Sequence, residues 1–141
     1  MKIIGTYPSL RMRRNRKADW IRRLVSEHNL SVSDLILPLF VKDGIKKKDV
    51  IKSMPNIYRY SIKDLFRIVE KACKLKIPLV ALFPHIIKSK KNENGTESLN
   101  EDNLISKAIR QIKNVSDMVI ISDVALDPYT SHGHDGVLNR E

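Results

Sequence analysis

Three short, uninterrupted apolar runs alternate along the chain with segments whose apolar residues recur at helical spacing. The first run is Leu35-Ile36-Leu37-Pro38-Leu39-Phe40-Val41. Its length and continuity predict a strand buried on both faces, as in a parallel sheet. Pro38 has no N–H for a ladder, so it belongs where no donor is needed. Asp43-Gly44 closes the run, and Lys46, Lys47 and Lys48 read as a solvated charge run in a loop. Leu65, Ile68, Val69, Ala72, Cys73 and Leu75 then share one helical face. Ser61-Ile62-Lys63-Asp64 before them resembles a capping box, with Asp in place of the usual Glu. Pro78 ends that helix, and Leu79-Val80-Ala81-Leu82-Phe83 is a second strand. Lys88 to Asn100 is polar, has Asn94-Gly95 as a turn signal, and reads as a long mobile loop. Leu104, Ile105, Ala108, Ile109 and Ile112 predict another amphipathic helix, and Met118-Val119-Ile120-Ile121 a third strand with Asp123 at its C-terminal end. Upstream, Trp20, Ile21, Leu24 and Val25 predict a short helix that starts near Asp19 and stops by Asn29. Residues 1–17 have no apolar periodicity and read as an extended arm.

The order strand, helix, strand, helix, strand predicts an α/β protein with right-handed crossovers and a parallel sheet. Three strands cannot close a barrel, which takes eight strands and about 250 residues. Two architectures remain: a small open α/β domain, or the opening portion of a barrel.

Composition narrows the function classes. With 42% hydrophobic and 30% charged residues among 141, the chain is not a disordered one. No apolar run approaches the ~18 residues of a membrane span. Met1 to Thr6 is too short for the apolar region of a signal peptide. The Arg-rich start imitates an organellar transit peptide, but Asp19, Glu27 and the low Ser content argue for a cytoplasmic protein. The single cysteine, Cys73, has no partner for an intramolecular disulfide and is expected to be a small buried core residue.

The formal net charge of +10 is uneven: residues 1–30 hold eight Lys or Arg against two acids. One reading is a basic module that binds nucleic acid or an acidic surface. The other is an arm that docks on a partner subunit. No aromatic residues interleave with Arg11, Arg13, Arg14, Arg16 and Lys17 to stack bases, which favours the docking arm, with no nucleic acid and no membrane as partner.

Chemistry concentrates after the third strand, where parallel α/β folds collect reactive groups. Within thirteen residues lie Asp123, Asp127, His132, His134 and Asp135. Aspartate oxygens suit Mg²⁺ or another hard ion, and imidazoles also admit Zn²⁺. Asp-Pro and His-Gly are also common turn formers, and an unliganded tight turn explains His134-Asp135-Gly136 equally well. A nucleophile triad of Ser131, His132 and Asp135 is rejected, because no Gly-x-Ser-x-Gly elbow is present.

Asp123-Val124-Ala125-Leu126-Asp127-Pro128-Tyr129-Thr130-Ser131-His132-Gly133-His134-Asp135-Gly136 resembles the metal-loop signature of the porphobilinogen synthases (5-aminolevulinate dehydratases). Zinc-type members carry cysteines at the positions of Ala125, Asp127 and Asp135; this chain is similar to the subgroup with Ala, Asp and Asp, called magnesium-type. Arg11-Met12-Arg13-Arg14-Asn15 and Trp20 to Val25 resemble the family's basic arm and first helix. Asp34 to Val41, Ser53 to Arg59, Ala81-Leu82-Phe83-Pro84 and Asn94-Gly95-Thr96-Glu97 are similar to later family segments, with Asn92 where an acidic residue is usual.

The resemblance implies the first three strand–helix units of a (β/α)8 TIM barrel over 18–141, preceded by a basic arm over 1–17 that wraps a neighbouring subunit of a homo-octamer. The implied activity condenses two 5-aminolevulinate molecules to porphobilinogen, feeding haem and other tetrapyrroles. Asp123 is the expected catalytic residue, orienting an amine or moving a proton, and Phe83 lines the substrate pocket. Asp127, Asp135 and His134 are the expected ligands of a divalent metal, Mg²⁺ ahead of Zn²⁺; alternatively the aspartates act without metal, through charge and hydrogen bonding. The family's two Schiff-base lysines lie on later strands. Lys42 and Lys88 match no family lysine motif and read as solvated. The segment, missing about five strands, is therefore expected to be inactive by itself.

Overall fold

The computed structural model describes residues 5–139; of the N-terminal stretch considered above, Met1 to Ile4 lie outside that range. The chain divides into two compact units, one running to Ser31 and the other beginning at Val32. The division falls later than the expected arm boundary at residue 17, because helix α1 (Asp19–Leu24) groups with the first unit. None of its residues is buried, so it contributes nothing to a core. It stops at Leu24, short of Asn29. Within this unit Arg22 ion-pairs with Asp19 and donates to the Arg16 carbonyl at 3.0 Å.

The second unit is built on a five-stranded sheet of order β2-β3-β1-β4-β5. The strands are β1 (Ile36–Lys42), β2 (Lys48–Val50), β3 (Tyr58–Ser61), β4 (Leu79–His85) and β5 (Val119–Ser122). β1, β4 and β5 are the three anticipated strands, adjacent and parallel in that order. β2 and β3 are additional. β3 runs parallel to β1, β2 runs antiparallel to β3, and both are too short and too polar to show an alternating pattern. Lys48 is therefore a strand residue, with its Nζ 4.0 Å from the centroid of the Tyr58 ring. β3 pairs with β1 only from Phe40 onward, so Pro38 lies ahead of that ladder, where the edge requires no donor.

Helices α2 (Ile62–Lys74) and α3 (Leu104–Val115) form the connections between β1, β4 and β5. Both are capped: Ser61 Oγ accepts from the Asp64 N–H, as the sequence predicts, and Asn103 Oδ1 from the Ser106 N–H at 2.9 Å. Leu65, Val69 and Ala72 of α2 and Leu104, Ala108 and Ile112 of α3 form one core with Leu39, Val41, Val80 and Leu82. In a strand, alternate side chains take opposite faces. The register thus sends Ile36, Leu79 and Val119, then Pro38, Ala81 and Ile121, then Phe40 and Phe83, to the face away from the helices. Ile36, Val119 and Ile121 are exposed there, so the strands expected to be buried on both faces are covered on one.

Three further expectations are corrected. Lys42 is buried rather than solvated: its Nζ lies 2.9 Å from Oδ2 of Asp49, which also takes Lys46 at 3.1 Å. Cys73 is exposed, because Ala72 takes the inward position and the next residue turns about 100° away. Its Sγ lies 3.5 Å from Ser116 Oγ. The segment 88–100 contains 3-10 turns at Lys88–Lys90 and Thr96–Leu99, and Asn92 forms a β-bridge to Thr130.

Candidate functional site

The segment after β5 is folded on itself by its own polar groups. Leu126 O accepts from the N–H groups of Tyr129, at 2.9 Å, and Thr130, at 3.2 Å, making one tight turn out of Leu126-Asp127-Pro128-Tyr129. Thr130 is fully buried and donates its hydroxyl to the carbonyls of Asp127 and His134, at 3.3 and 3.0 Å. Asp135 Oδ1 accepts from the Leu126 N–H at 2.6 Å, which closes the loop end to end. His132 Nδ1 accepts from the His134 N–H at 3.2 Å, so the ring proton resides on Nε2, which donates to the Glu93 carbonyl at 3.3 Å. The two imidazoles stack with centroids 5.8 Å apart. Gly133, at φ +74°, supplies the left-handed turn between them.

Asp123 and Asp135 line one cavity of about 720 Å³. Its wall includes Ala125, Leu126 and Tyr129 from the loop, with the capping residue Asn103 and Ser106 at the start of α3. The Tyr129 phenol is buried, which raises its pKa, and the Glu97 carboxylate adds to the rise; it stays a neutral hydrogen-bonding group. Two carboxylates beside a neutral phenol suit a cationic group such as a primary ammonium. One Asp135 oxygen is already engaged by Leu126, so Asp123 is the carboxylate with the freer hand.

The other expected site residues lie apart from this cavity. Asp127 and His134 do not line it. Phe83 sits on the sheet face turned away from the helices, paired in register with Phe40 and with its ring centroid 5.7 Å from that ring. Among the described residues, no three His, Cys, Asp or Glu side chains converge closely enough to hold a metal ion. Asp127, His134 and Asp135 have the donor chemistry for a hard ion but not the geometry, since Asp135 is turned to Leu126 and His134 stacks on His132. Sequence reasoning missed Tyr129 as a wall residue, although it stands inside the quoted loop signature. It missed Asn103 and Ser106 for want of any local signal.

At the C-terminal rim of the sheet, Lys42, on β1, pairs in register with His85 on β4. Burial is the first cause lowering the His85 pKa, although much of the residue remains in solvent; the nearby Arg59 and Lys91 lower it further, as does Lys42, while Asp49 opposes them. Lys42 and Lys46 hold the Asp49 carboxyl below its usual range.

The sequence model of the delta-aminolevulinic acid dehydratase family matches residues 9–141. The delta-aminolevulinic acid dehydratase of Bradyrhizobium diazoefficiens is 48% identical over 131 residues, which is 92% of this chain and 37% of that protein. The Chlamydia pneumoniae protein of the same name is 45% identical over 135 residues, covering 94% and 41%. A crystal structure of the Toxoplasma gondii ME49 enzyme (porphobilinogen synthase), in complex with its reaction product porphobilinogen, is similar with a TM-score of 0.85 and 42% identity, over 93% of this chain and 37% of that one. The chain thus spans about two fifths of the length of the curated relatives it matches. Its α/β fold is that of part of the TIM barrel of the Toxoplasma structure. The chain belongs to the delta-aminolevulinic acid dehydratase family.

Proposed function

We propose that this chain supplies part of a porphobilinogen synthase, which condenses two 5-aminolevulinate molecules to porphobilinogen with loss of two waters. The observation that carries this reading is the family match over residues 9–141, with Asp123 and Asp135 on one cavity wall beyond the C-terminal end of β5. Asp123 orients the substrate's amine and accepts a proton from it. Phe83, its ring tilted against that of Phe40, forms an apolar wall on the other sheet face.

Covalent attachment of a keto-amine as a Schiff base requires a neutral lysine amine. Lys42 does not fit that role, because Asp49 engages its amine. The reacting lysines are assigned to the part of the enzyme that this chain does not span.

Ala125, Asp127 and Asp135 support reading the loop as one of the aspartate-rich, magnesium-type subgroup, with His134 as a further candidate ligand. Brought together, Asp127, Asp135 and His134 would hold a divalent ion, which would supply positive charge to the pocket. Oxygen donors make Mg²⁺ the better match than Zn²⁺. The three side chains do not converge, so no step is routed through the ion. The basic residues Arg11, Arg13, Arg14 and Arg16 form a docking arm for a second copy in a homo-octamer, and the protein acts in the cytoplasm. Among the described residues no helix is long and apolar enough to cross a membrane.

The test replaces the matched segment of the Bradyrhizobium relative with this chain and assays porphobilinogen formation from 5-aminolevulinate. Turnover within tenfold of the parent enzyme supports the reading. A folded, assembled chimera without turnover contradicts it.

A further inference from the structure

We propose that Asn92 and Gly95 are positioning residues for the loop carrying Asp123 and Asp135, acting through a strap that runs from the end of β1 to the turn at Leu126. The strap is the segment from Lys90 to Thr96. At one end, Lys90 Nζ lies 3.0 Å from Oδ2 of Asp43, just past β1, and 3.5 Å from Oε1 of Glu97. In the middle, the Asn92 backbone grips the site loop on both sides of Thr130. Its N–H donates to the Tyr129 carbonyl at 3.3 Å, and its carbonyl accepts from the Ser131 N–H at 2.9 Å. The Asn92 side chain holds the turn that follows, with Oδ1 accepting from the Thr96 N–H at 3.1 Å and Nδ2 donating to Thr96 Oγ1 at 2.5 Å.

Gly95 is required at the far end for two independent reasons. Its φ is +61°, in the left-handed region that favours glycine. A Cβ there would lie 2.8 Å from Leu126 Cδ1 and 3.1 Å from Leu126 Cγ, closer than carbon atoms pack. Leu126 is the residue whose N–H is held by the Asp135 carboxylate. The strap therefore presses on the side chain of the residue whose backbone fixes Asp135, and it grips the chain at the buried Thr130 between them. Its contacts reach the acidic cavity without lining it. The inference rests on the proposed function only in treating that cavity as a site; the hydrogen-bond geometry stands apart from turnover.

Amide hydrogen exchange on the 141-residue chain tests it without any need for activity. Gly95→Ala is expected to speed exchange at Leu126 and Ser131 about tenfold while Val41 and Leu82 keep their protection. In the double variant Gly95→Ala with Leu126→Ala the clashing atoms are gone while the left-handed strain stays, and Ser131 regains part of its protection. Asn92→Ala and Asn92→Asp form a second pair that spares the backbone of Gly95. Alanine loses the Thr96 contacts and loosens Ser131, while aspartate keeps the Oδ1 acceptor and stays within about twofold of the parent. Unchanged exchange at Ser131 in Gly95→Ala overturns the proposal. So does a loss shared equally by β1 and β4 that the double variant does not restore, or an Asn92→Asp variant as loose as Asn92→Ala.

Discussion

Asp135 and Leu126 are tied by a hydrogen bond of 2.6 Å from the Leu126 N–H to Asp135 Oδ1, nine residues apart along the loop. The bond makes Asp135 a structural closure as well as an acidic wall of the cavity. Asp135→Ala is expected to free the Leu126 amide, raising its exchange rate about tenfold, and to cost about 1 kcal/mol of stability. Asp135→Asn retains an oxygen acceptor and is expected to keep most of both. Exchange rates by NMR and a urea titration check the pair; equal behaviour of the two variants contradicts the role.

The sheet has one covered face, and mutations on its two sides should separate accordingly. Leu65 is fully buried where α2 meets the sheet, whereas Ile36 is half exposed on the other face. Leu65→Ala is expected to cost about 3 kcal/mol through lost burial and the cavity left behind, and Ile36→Ala less than about 1 kcal/mol. Urea unfolding midpoints measure both, and similar losses contradict the one-sided core.

The register explains which parts of this architecture were legible in advance. Runs such as Leu79–Phe83 and helix faces such as Leu65, Val69 and Ala72 announce themselves because packing enforces their periods. β2 and β3 do not, since Lys48–Val50 and Tyr58–Ser61 are too short for a period and owe their pairing to the end of β1. Lys42 looks like a loop lysine until the β2–β3 hairpin brings Asp49 back to it. Asp123 and Asp135 were visible as chemistry, but Tyr129, Asn103 and Ser106 join their cavity only because the fold brings the start of α3 beside the loop after β5. Asp127 and His134 were grouped with Asp135 by the resemblance to the family's metal loop, while a backbone hydrogen bond engages Asp135 and ring stacking engages His134.

His85 gives the fold a pH dependence of defined sign. Its folded pKa lies below the ordinary 6.5, through burial first and then Arg59, Lys91 and Lys42, against the opposing Asp49. The unfolded chain therefore binds the proton more readily. The penalty grows as pH falls below 6.5 and is complete once pH has passed below the folded value. His85→Asn is expected to flatten the fall in Tm between pH 7.5 and pH 5, relative to the parent. Parallel Tm–pH curves for the two proteins contradict the assignment.

Asp123 is the carboxylate to which the functional reading assigns proton handling, and replacing it isolates that role. In the Bradyrhizobium chimera, Asp123→Asn keeps the size of the side chain and removes its basic oxygen. The account predicts a kcat for porphobilinogen formation at least about 100-fold lower with assembly unchanged. Turnover equal to that of the unsubstituted chimera would contradict it.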